Sequence, residues 1–489
     1  MTVTGLLGVQ YRLDPNLLSD GGEGKIYRVL GEPDKKVAKI YNQGAISREL
    51  VEKLGLMMIK PPPASVLTQV AWPLDMIFEN GNQPCGFIMP ELSINTELGD
   101  IYKYNPGDPV RTLPISVEQK IVIAMNICAV ISAVHDSGYV FGDFNPRNIG
   151  VDKYTGKVAF LDTDSYHVSD EEKNSVHRCN VCAPGYAAPE LLARCSGYLA
   201  LNPDDKNSAY AKTPLPTFTK DTDNFALAIH IFKLLMNGFN PYGGIIDTVS
   251  ASQGSPGVGD AAVRRDSYCF KPGYKHQSAA ILPLIAFPKK IAELFTRAFI
   301  GGKVDPKNRP SAHEWHGALE QYHQALQTCS ENPLHQYYRN HETCPYCEAD
   351  KRFLERNKKT AAPVPPVQPP LVQQTYTPLN VPMQTPAARQ TRNTQQPAQQ
   401  QASQMTPPTK PPPAGTGAPA GGASSAPSQT GRKDRGKGIR NFFLSFLVTI
   451  VTLALILGAL WRFTEVLPFS YGSLNAQDDN ITDSEQAPD

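Results

Sequence analysis

The chain has 489 residues, room for two or three domains at roughly 150 residues each. Its 47 basic and 46 acidic residues leave a net charge of +1, so no excess of positive charge argues for a nucleic-acid partner. The 37 glycines show no period of three, which excludes collagen, and nine cysteines are too sparse for a disulfide scaffold. The 44 prolines, about twice the usual share, suggest a compact region diluted by a disordered one. The first fifteen residues carry no basic stretch followed by an apolar one, so no secretory leader is expected and the bulk of the chain should begin in the cytosol.

Residues Leu18 to Val29 read as strand, glycine-rich turn, strand. Gly21, Gly22 and Gly24 would let backbone N–H groups approach phosphates without side-chain obstruction, although a plain hairpin turn has the same signature. Val37 to Tyr41 reads as a short β-branched strand with one inward lysine, Lys39. A lysine on an apolar strand needs an anion, which a nucleotide phosphate and a helix carboxylate would supply. The helix expected over Ile46 to Met58 offers Glu49 and Glu52; Glu52 is preferred because Leu56 falls four residues on along the inner face.

An amphipathic helix over Ile121 to Val134 leads into residues 135–152, which place Asp143 and Asn148 on a tight loop ahead of a strand. A second strand, Val158 to Asp162, ends on another carboxylate. Two carboxylates and a carboxamide converging from strand ends are hard oxygen ligands suited to magnesium on a nucleotide. Each aspartate alone also fits a turn or a cap.

Taken in order, these features resemble a eukaryotic-type Ser/Thr protein kinase in the divergent form found in bacteria, over roughly residues 15 to 325. The resemblance places Ser19, Gly21 and Gly24 at the three phosphate-loop glycine positions, and Lys39 at the lysine that pairs the α- and β-phosphates. It makes Phe87 to Leu92 the hinge that brackets adenine, through Met89, the Pro90 carbonyl and the Leu92 N–H. It makes Asp143 the catalytic base and Asn148 and Asp162 the metal ligands. Ala183 to Glu190 resembles the end of an activation segment, Asp223 to Ala228 the buried helix start that anchors the catalytic loop, and Asp305 to Ser311 the last kinase motif, with Arg309 as ion partner of Glu190. The chain also departs from the pattern. Phe141-Gly142 replaces the His-Arg before the base, Asn145 replaces the lysine that steadies the γ-phosphate, and Asp162-Thr163-Asp164 brings a second carboxylate, Asp164, to the magnesium. Losing a cation weakens transition-state stabilisation, and the extra carboxylate offsets this in part or alters the choice of magnesium or manganese.

After the kinase-like region, Cys329, His335, Cys344 and Cys347 supply three thiols and an imidazole in a polar segment too small for its own core. Soft thiolates with a neutral imidazole favour structural zinc; a redox pair and unligated thiols are the alternatives, and His341 is the rival nitrogen ligand. Cys179 and Cys182, near His177, read as a chance pair, a metal half-site or a redox switch.

From about residue 360 to 430 the chain holds no Asp or Glu and is dominated by Pro, Gln, Ala, Ser and Thr, the composition of an extended linker. Runs such as Pro411 to Pro413 also suit a proline-motif-binding partner. Residues 441–461 are uncharged and apolar, long enough at roughly 1.5 Å per residue to cross a bilayer. Basic residues precede them and acidic ones follow, which places the N-terminal bulk in the cytosol and the tail outside.

The expected fold is therefore α+β and two-lobed: a kinase-like domain over 11–326, a small Cys/His zinc module over 327–356, a disordered Pro/Gln/Ala-rich linker over 357–440, a transmembrane helix over 441–461 and an acidic extracytoplasmic tail over 462–489. The resemblance implies a membrane-anchored enzyme that uses ATP and magnesium or manganese to phosphorylate Ser or Thr of protein substrates. Its alternatives are a pseudokinase scaffold and a small-molecule phosphotransferase.

Overall fold

The computed structural model describes residues 1–31, 34–79, 83–108, 112–170, 175–179, 182–192, 218–250, 254–357 and 376–379. Most of the expected linker, the apolar segment 441–461, the tail 462–489 and the prolines 411–413 lie outside the described residues.

The N-terminal part is a sheet of six antiparallel strands: β1 (Thr2–Gly5), β2 (Gln10–Asp20), β3 (Gly24–Leu30), β4 (Lys36–Tyr41), β5 (Asp75–Glu79) and β6 (Gln83–Pro90). They pair in the order β1-β2-β3-β4-β6-β5, and β1 also pairs with β5, so the sheet closes on itself. Alternating side chains of these strands, Val3, Leu13, Val29, Ala38, Ile77 and Ile88 among them, fill the interior. The folded region thus starts at Thr2 rather than at residue 11. β1 is too short and polar to show a period, and just past its end Asp75, the first residue of β5, accepts from Leu6 N at 3.1 Å and from the Tyr11 hydroxyl at 2.9 Å. Helix α1 (Arg48–Ile59) crosses between β4 and β5 in the chain, with Ser47 accepting from Leu50 N as its N-cap.

The C-terminal part is mainly helical. Its axis is α2 (Val117–Asp136), opened by a reciprocal cap between Ser116 and Gln119 and buried at every position from Ile121 to Val134. Among the described residues α2 is the one helix long and apolar enough to cross a membrane, and here it is the core of the body. Helices α3 (Lys220–Leu235), α4 (Lys289–Thr296) and α5 (Ala312–Gln324) complete that core through Phe232, Phe295, Trp315 and Leu319. A short hairpin, β7 (Ile149–Val151) with β8 (Val158–Phe160), follows α2 and carries the loops that bear Asp143 and Asp162.

The Cys/His segment is built from the β9 (Leu326–Thr328) and β10 (Gln336–Tyr338) hairpin and helix α6 (Pro345–Asn357). It is not separate from the helical body. Val117 N donates to Leu334 O at 2.9 Å, the Tyr346 hydroxyl to Leu235 O at 3.3 Å, and Cys329, Cys344, Tyr346 and Ala349 belong to the α2 core. A segment without enough apolar surface of its own borrows that of its neighbour.

Candidate functional site

Lys39 projects from β4, a strand flanked on both sides by β3 and β6, so its ammonium enters an enclosed space. Its Nζ meets Asp164 Oδ2 at 2.6 Å, Asp162 Oδ1 at 2.9 Å and Glu23 Oε2 at 3.6 Å. Burial opposes the charge on Lys39, but the Asp164 and Asp162 carboxylates outweigh it and hold the ammonium above the usual lysine range. The same burial pushes Asp162 up despite Lys39, while Lys39 and Tyr41 hold Asp164 down against its burial. The Tyr41 hydroxyl donates to the same Asp164 oxygen that Lys39 grips. Asp162 sits at φ 56°, in the left-handed region that Asp tolerates better than most residues, and this turns its carboxylate toward Lys39.

Glu52 does not reach Lys39, which corrects the sequence expectation. Its carboxylate takes Arg48 at 3.1 Å on the outer side of α1, and Glu49 is exposed. The inner face of α1 is Lys53, Leu54 and Met57, one residue on from the expected Glu52–Leu56 stripe. Lys53 Nζ donates to Asp164 O at 2.7 Å, and burial lowers its pKa. The anion that Lys39 requires is supplied by Asp164 instead, so the helix turns a base rather than an acid toward this acidic corner.

Asp143 lies on the loop after α2. Its Oδ2 accepts from Asn148 Nδ2 at 2.9 Å and its Oδ1 from Ala183 N at 3.0 Å. Burial raises its pKa, and these hydrogen bonds pull in the other direction. The loop is held from below by Asp223 at the start of α3, which accepts from Phe141 N at 2.7 Å, Gly142 N at 2.9 Å and His135 Nε2 at 2.9 Å. Gly142 adopts φ 78°, and a Cβ there would lie 2.8 Å from Cys179 Sγ, so no arginine fits where the resemblance would put one. Phe141 packs edge-on against Phe144, Phe160 and Tyr166. Asn145 Oδ1 accepts from Arg147 N at 2.9 Å and caps the turn that carries Asn148. The expected pair of Arg309 with Glu190 is formed, bidentate at 2.6 and 2.7 Å.

Asp162 and Asp164 fall together, but Asn148 is turned to Asp143, and Glu23 joins the acidic group in its place: one ligand oxygen from each of Glu23, Asp162 and Asp164 lies within 4.8 Å of the others. The glycines form a tight hairpin turn. Gly21 N donates to Gly24 O at 2.9 Å, Asn42 Nδ2 donates to Gly22 O at 2.9 Å, and Ser19 pairs with Ile26 in the β2–β3 ladder. A Cβ on Gly24 would meet Ile40 O at 2.5 Å, so this glycine is required for β3 to approach β4. Met89 and Pro90 end β6 beside β4, with Pro90 opposite Lys36; Glu91 N donates to Lys35 O at 3.0 Å, and half-buried Leu92 follows.

The four sulfur and nitrogen donors of the Cys/His segment also converge. Cys329 Sγ is 3.5 Å from Cys347 Sγ, and His335 Nδ1 lies 3.4 Å from Cys347 Sγ and 3.8 Å from Cys344 Sγ. Tetrahedral bonds of about 2.3 Å would hold sulfurs roughly 3.8 Å apart, so the spacing fits such an ion. The Asp350 carboxylate, 3.4 Å from His335 Nε2, orients the ring so that Nδ1 faces the thiols. His341, the rival ligand, is not in the group.

Glu23, Tyr41 and Lys53 were missed from the sequence. Tyr41 had a signal, since it lies two residues after Lys39 and so on the same face of β4. His230 was also missed: buried in α3, its Nε2 donates to Phe144 O at 2.9 Å and its Nδ1 accepts from the Tyr102 hydroxyl at 2.5 Å, tying the Asp143 loop to the helical core.

A closed β-sheet, a helical body and a lysine–carboxylate cluster beside a braced aspartate define a mixed α/β protein of kinase-like character. No family model matches the chain. It is 28% identical over 352 residues to Protein kinase YegI of Escherichia coli strain K12, an alignment covering 68% of this chain and 48% of that protein. It is 29% identical over 345 residues to Protein kinase YegI of Escherichia coli O157:H7, with the same coverage. The chain spans about half the length of the curated relatives it matches.

Proposed function

We propose that the protein is an ATP-dependent protein kinase that transfers phosphate to Ser or Thr hydroxyls, with a two-lobed kinase fold and ATP bound between β-sheet and helical body. The observation that carries this reading is Asp143: a carboxylate held by two donors, raised in pKa by burial, on the loop that Asp223 anchors. Asp143 accepts the proton of the acceptor hydroxyl as that oxygen attacks the γ-phosphorus. Lys39 steadies the nucleotide phosphates, the glycine turn covers them, and Met89, Pro90 and Leu92 border the base. Asp162 and Asp164 would hold magnesium or manganese, with Asn148 as a ligand only when its carboxamide leaves Asp143, and the cation neutralises phosphate charge when bound; the carboxylates of Glu23, Asp162 and Asp164 around one buried lysine leave the negative surplus that such a cation needs. Beside Pro146, a cleft of about 550 Å³ bordered by Tyr102, Lys103, Lys233 and Phe239 offers room for acceptor side chains.

Cys329, His335, Cys344 and Cys347 would hold a structural zinc that fastens α6. The apolar segment 441–461 would anchor the chain in a membrane with the kinase domain on the cytoplasmic side. A second reading, a nucleotide-binding scaffold without transfer, is favoured by the saturation of Lys39 by Asp164, Asp162 and Glu23 and by the structural use of Asn145. Incubating the purified chain with γ-labelled ATP, magnesium or manganese and candidate proteins, followed by phosphoamino acid analysis, separates the two. Label on Ser or Thr supports the kinase, label on a metabolite panel alone sinks it in favour of a small acceptor, and nucleotide binding without transfer supports the scaffold.

A further inference from the structure

In the stretch from residue 360 to 430 there is a single aromatic residue, Tyr376. It does not behave as part of a featureless spacer, for it is only 6% exposed. Its ring lies on Gly156, in the turn between β7 and β8. That glycine adopts φ 70°, and a Cβ on it would fall 2.3 Å from Tyr376 Cδ2, so the turn leaves the ring its place. The Tyr376 hydroxyl donates to Lys153 O in the same turn. Three residues on, Leu379 N donates to Asn126 Oδ1 at 2.7 Å.

Asn126 is the telling partner. It sits in the middle of α2 among Ile123, Met125, Ile127 and Val130, fully buried. A carboxamide there needs both of its ends satisfied. Its Nδ2 donates to Gly156 O at 2.8 Å, and its Oδ1 is taken by Leu379. One buried side chain therefore holds the turn with one end and the linker with the other. Thr377 and Pro378 between the two anchors are exposed, and the proline fixes its own φ and biases Thr377 to an extended backbone, the conformation of a docked peptide.

We infer that Asn126 and the Lys153–Gly156 turn form a peptide-docking surface, and that its occupant is the Tyr376–Leu379 segment of the same chain. The surface reads an aromatic ring and one backbone N–H, with the Thr377–Pro378 pair exposed between them. It fastens the linker to the helical body a second time beyond α6.

Amide hydrogen exchange of the full chain tests this at Leu379. The amide should exchange at least tenfold more slowly than in a free peptide of the linker sequence, at a rate independent of protein concentration. Tyr376→Ala, which alters only the linker side, should return Leu379 to the free-peptide rate while the α2 amides stay protected; Gly156→Ala should do the same by filling the place of the ring. Free-peptide exchange at Leu379 in the unaltered chain, or protection that survives Tyr376→Ala, would overturn the inference. Protection that fades on dilution would overturn the intramolecular assignment and make a second copy the occupant.

Discussion

Asp143 must be ionised to take a proton, and burial raises its pKa above the ordinary aspartate value of 3.8. Phosphoryl transfer should therefore rise with pH through that raised value and fall as protonation removes the base on the acid side. A single-turnover pH profile with an acid limb no higher than that of an ordinary aspartate would contradict the role. Glu23 is exposed at the tip of the turn yet lies 3.6 Å from Lys39, where a nucleotide phosphate would come. Removing its charge with Glu23→Gln should tighten nucleotide binding by about threefold to tenfold, since like charge is relieved in a partly screened setting; titration calorimetry showing weaker binding would argue that Glu23 helps to hold the metal instead. The burial of Lys39 and its need of an anion were legible as sequence because a charged residue on an apolar strand is costly to bury without a purpose. The partner of Lys39 was not. Arg48 to Lys53 holds four charges in six residues, and Glu49, Glu52 and Lys53 all have a claim to the inner face. The choice is made by Asp164, more than a hundred residues away in the chain.

Elements, more than single side chains, keep these groups in place. The Asp143 loop hangs from α3 through Asp223, which is 1% exposed and accepts two backbone N–H groups. Asp223→Ala leaves both donors buried and unpaired, so we expect a loss on the order of 3 kcal/mol in urea unfolding together with a lower rate of transfer. A loss under about 1 kcal/mol would show that the loop does not depend on this anchor. The first turns of α3 were readable through the resemblance of Asp223 to Ala228 to a kinase motif, although the helix begins three residues earlier, at Lys220. So was the Glu190–Arg309 pair, through the two motifs that carry it. The closure of the sheet by β1 was not, because four residues give too short a pattern, and Asp75, which holds that end, looks in sequence like any loop carboxylate.

The molecule as a whole joins what the sequence divides. A boundary after residue 326 is reasonable from composition, since the Cys/His segment is polar and self-contained in its ligands. In the structure its cysteines and Tyr346 share the core of α2 and α3. Removal of the proposed metal should therefore loosen the helical body rather than unfold a tethered module. We expect a strong chelator, or Cys347→Ser, to lower the midpoint of one cooperative thermal transition by more than about 5 °C. A separate low-temperature transition would contradict a shared core, and no change would contradict the metal. The four-residue dock at Tyr376 was illegible for a related reason: low complexity around it hid one aromatic that packs on Gly156 and one amide, of Leu379, whose partner Asn126 is a polar residue in an apolar stretch of helix.

The most direct measurement compares the unaltered chain with Asp143→Asn for γ-phosphate transfer from ATP to protein, while nucleotide binding is followed in the same samples. The substitution keeps the size of the side chain and removes the proton acceptor. We expect nucleotide to bind both proteins within about threefold and transfer to fall by at least about 10²-fold in the variant. Equal transfer by both proteins would contradict the assignment of Asp143 as the base, and absence of transfer in both with nucleotide bound would leave the scaffold as the function of this cleft.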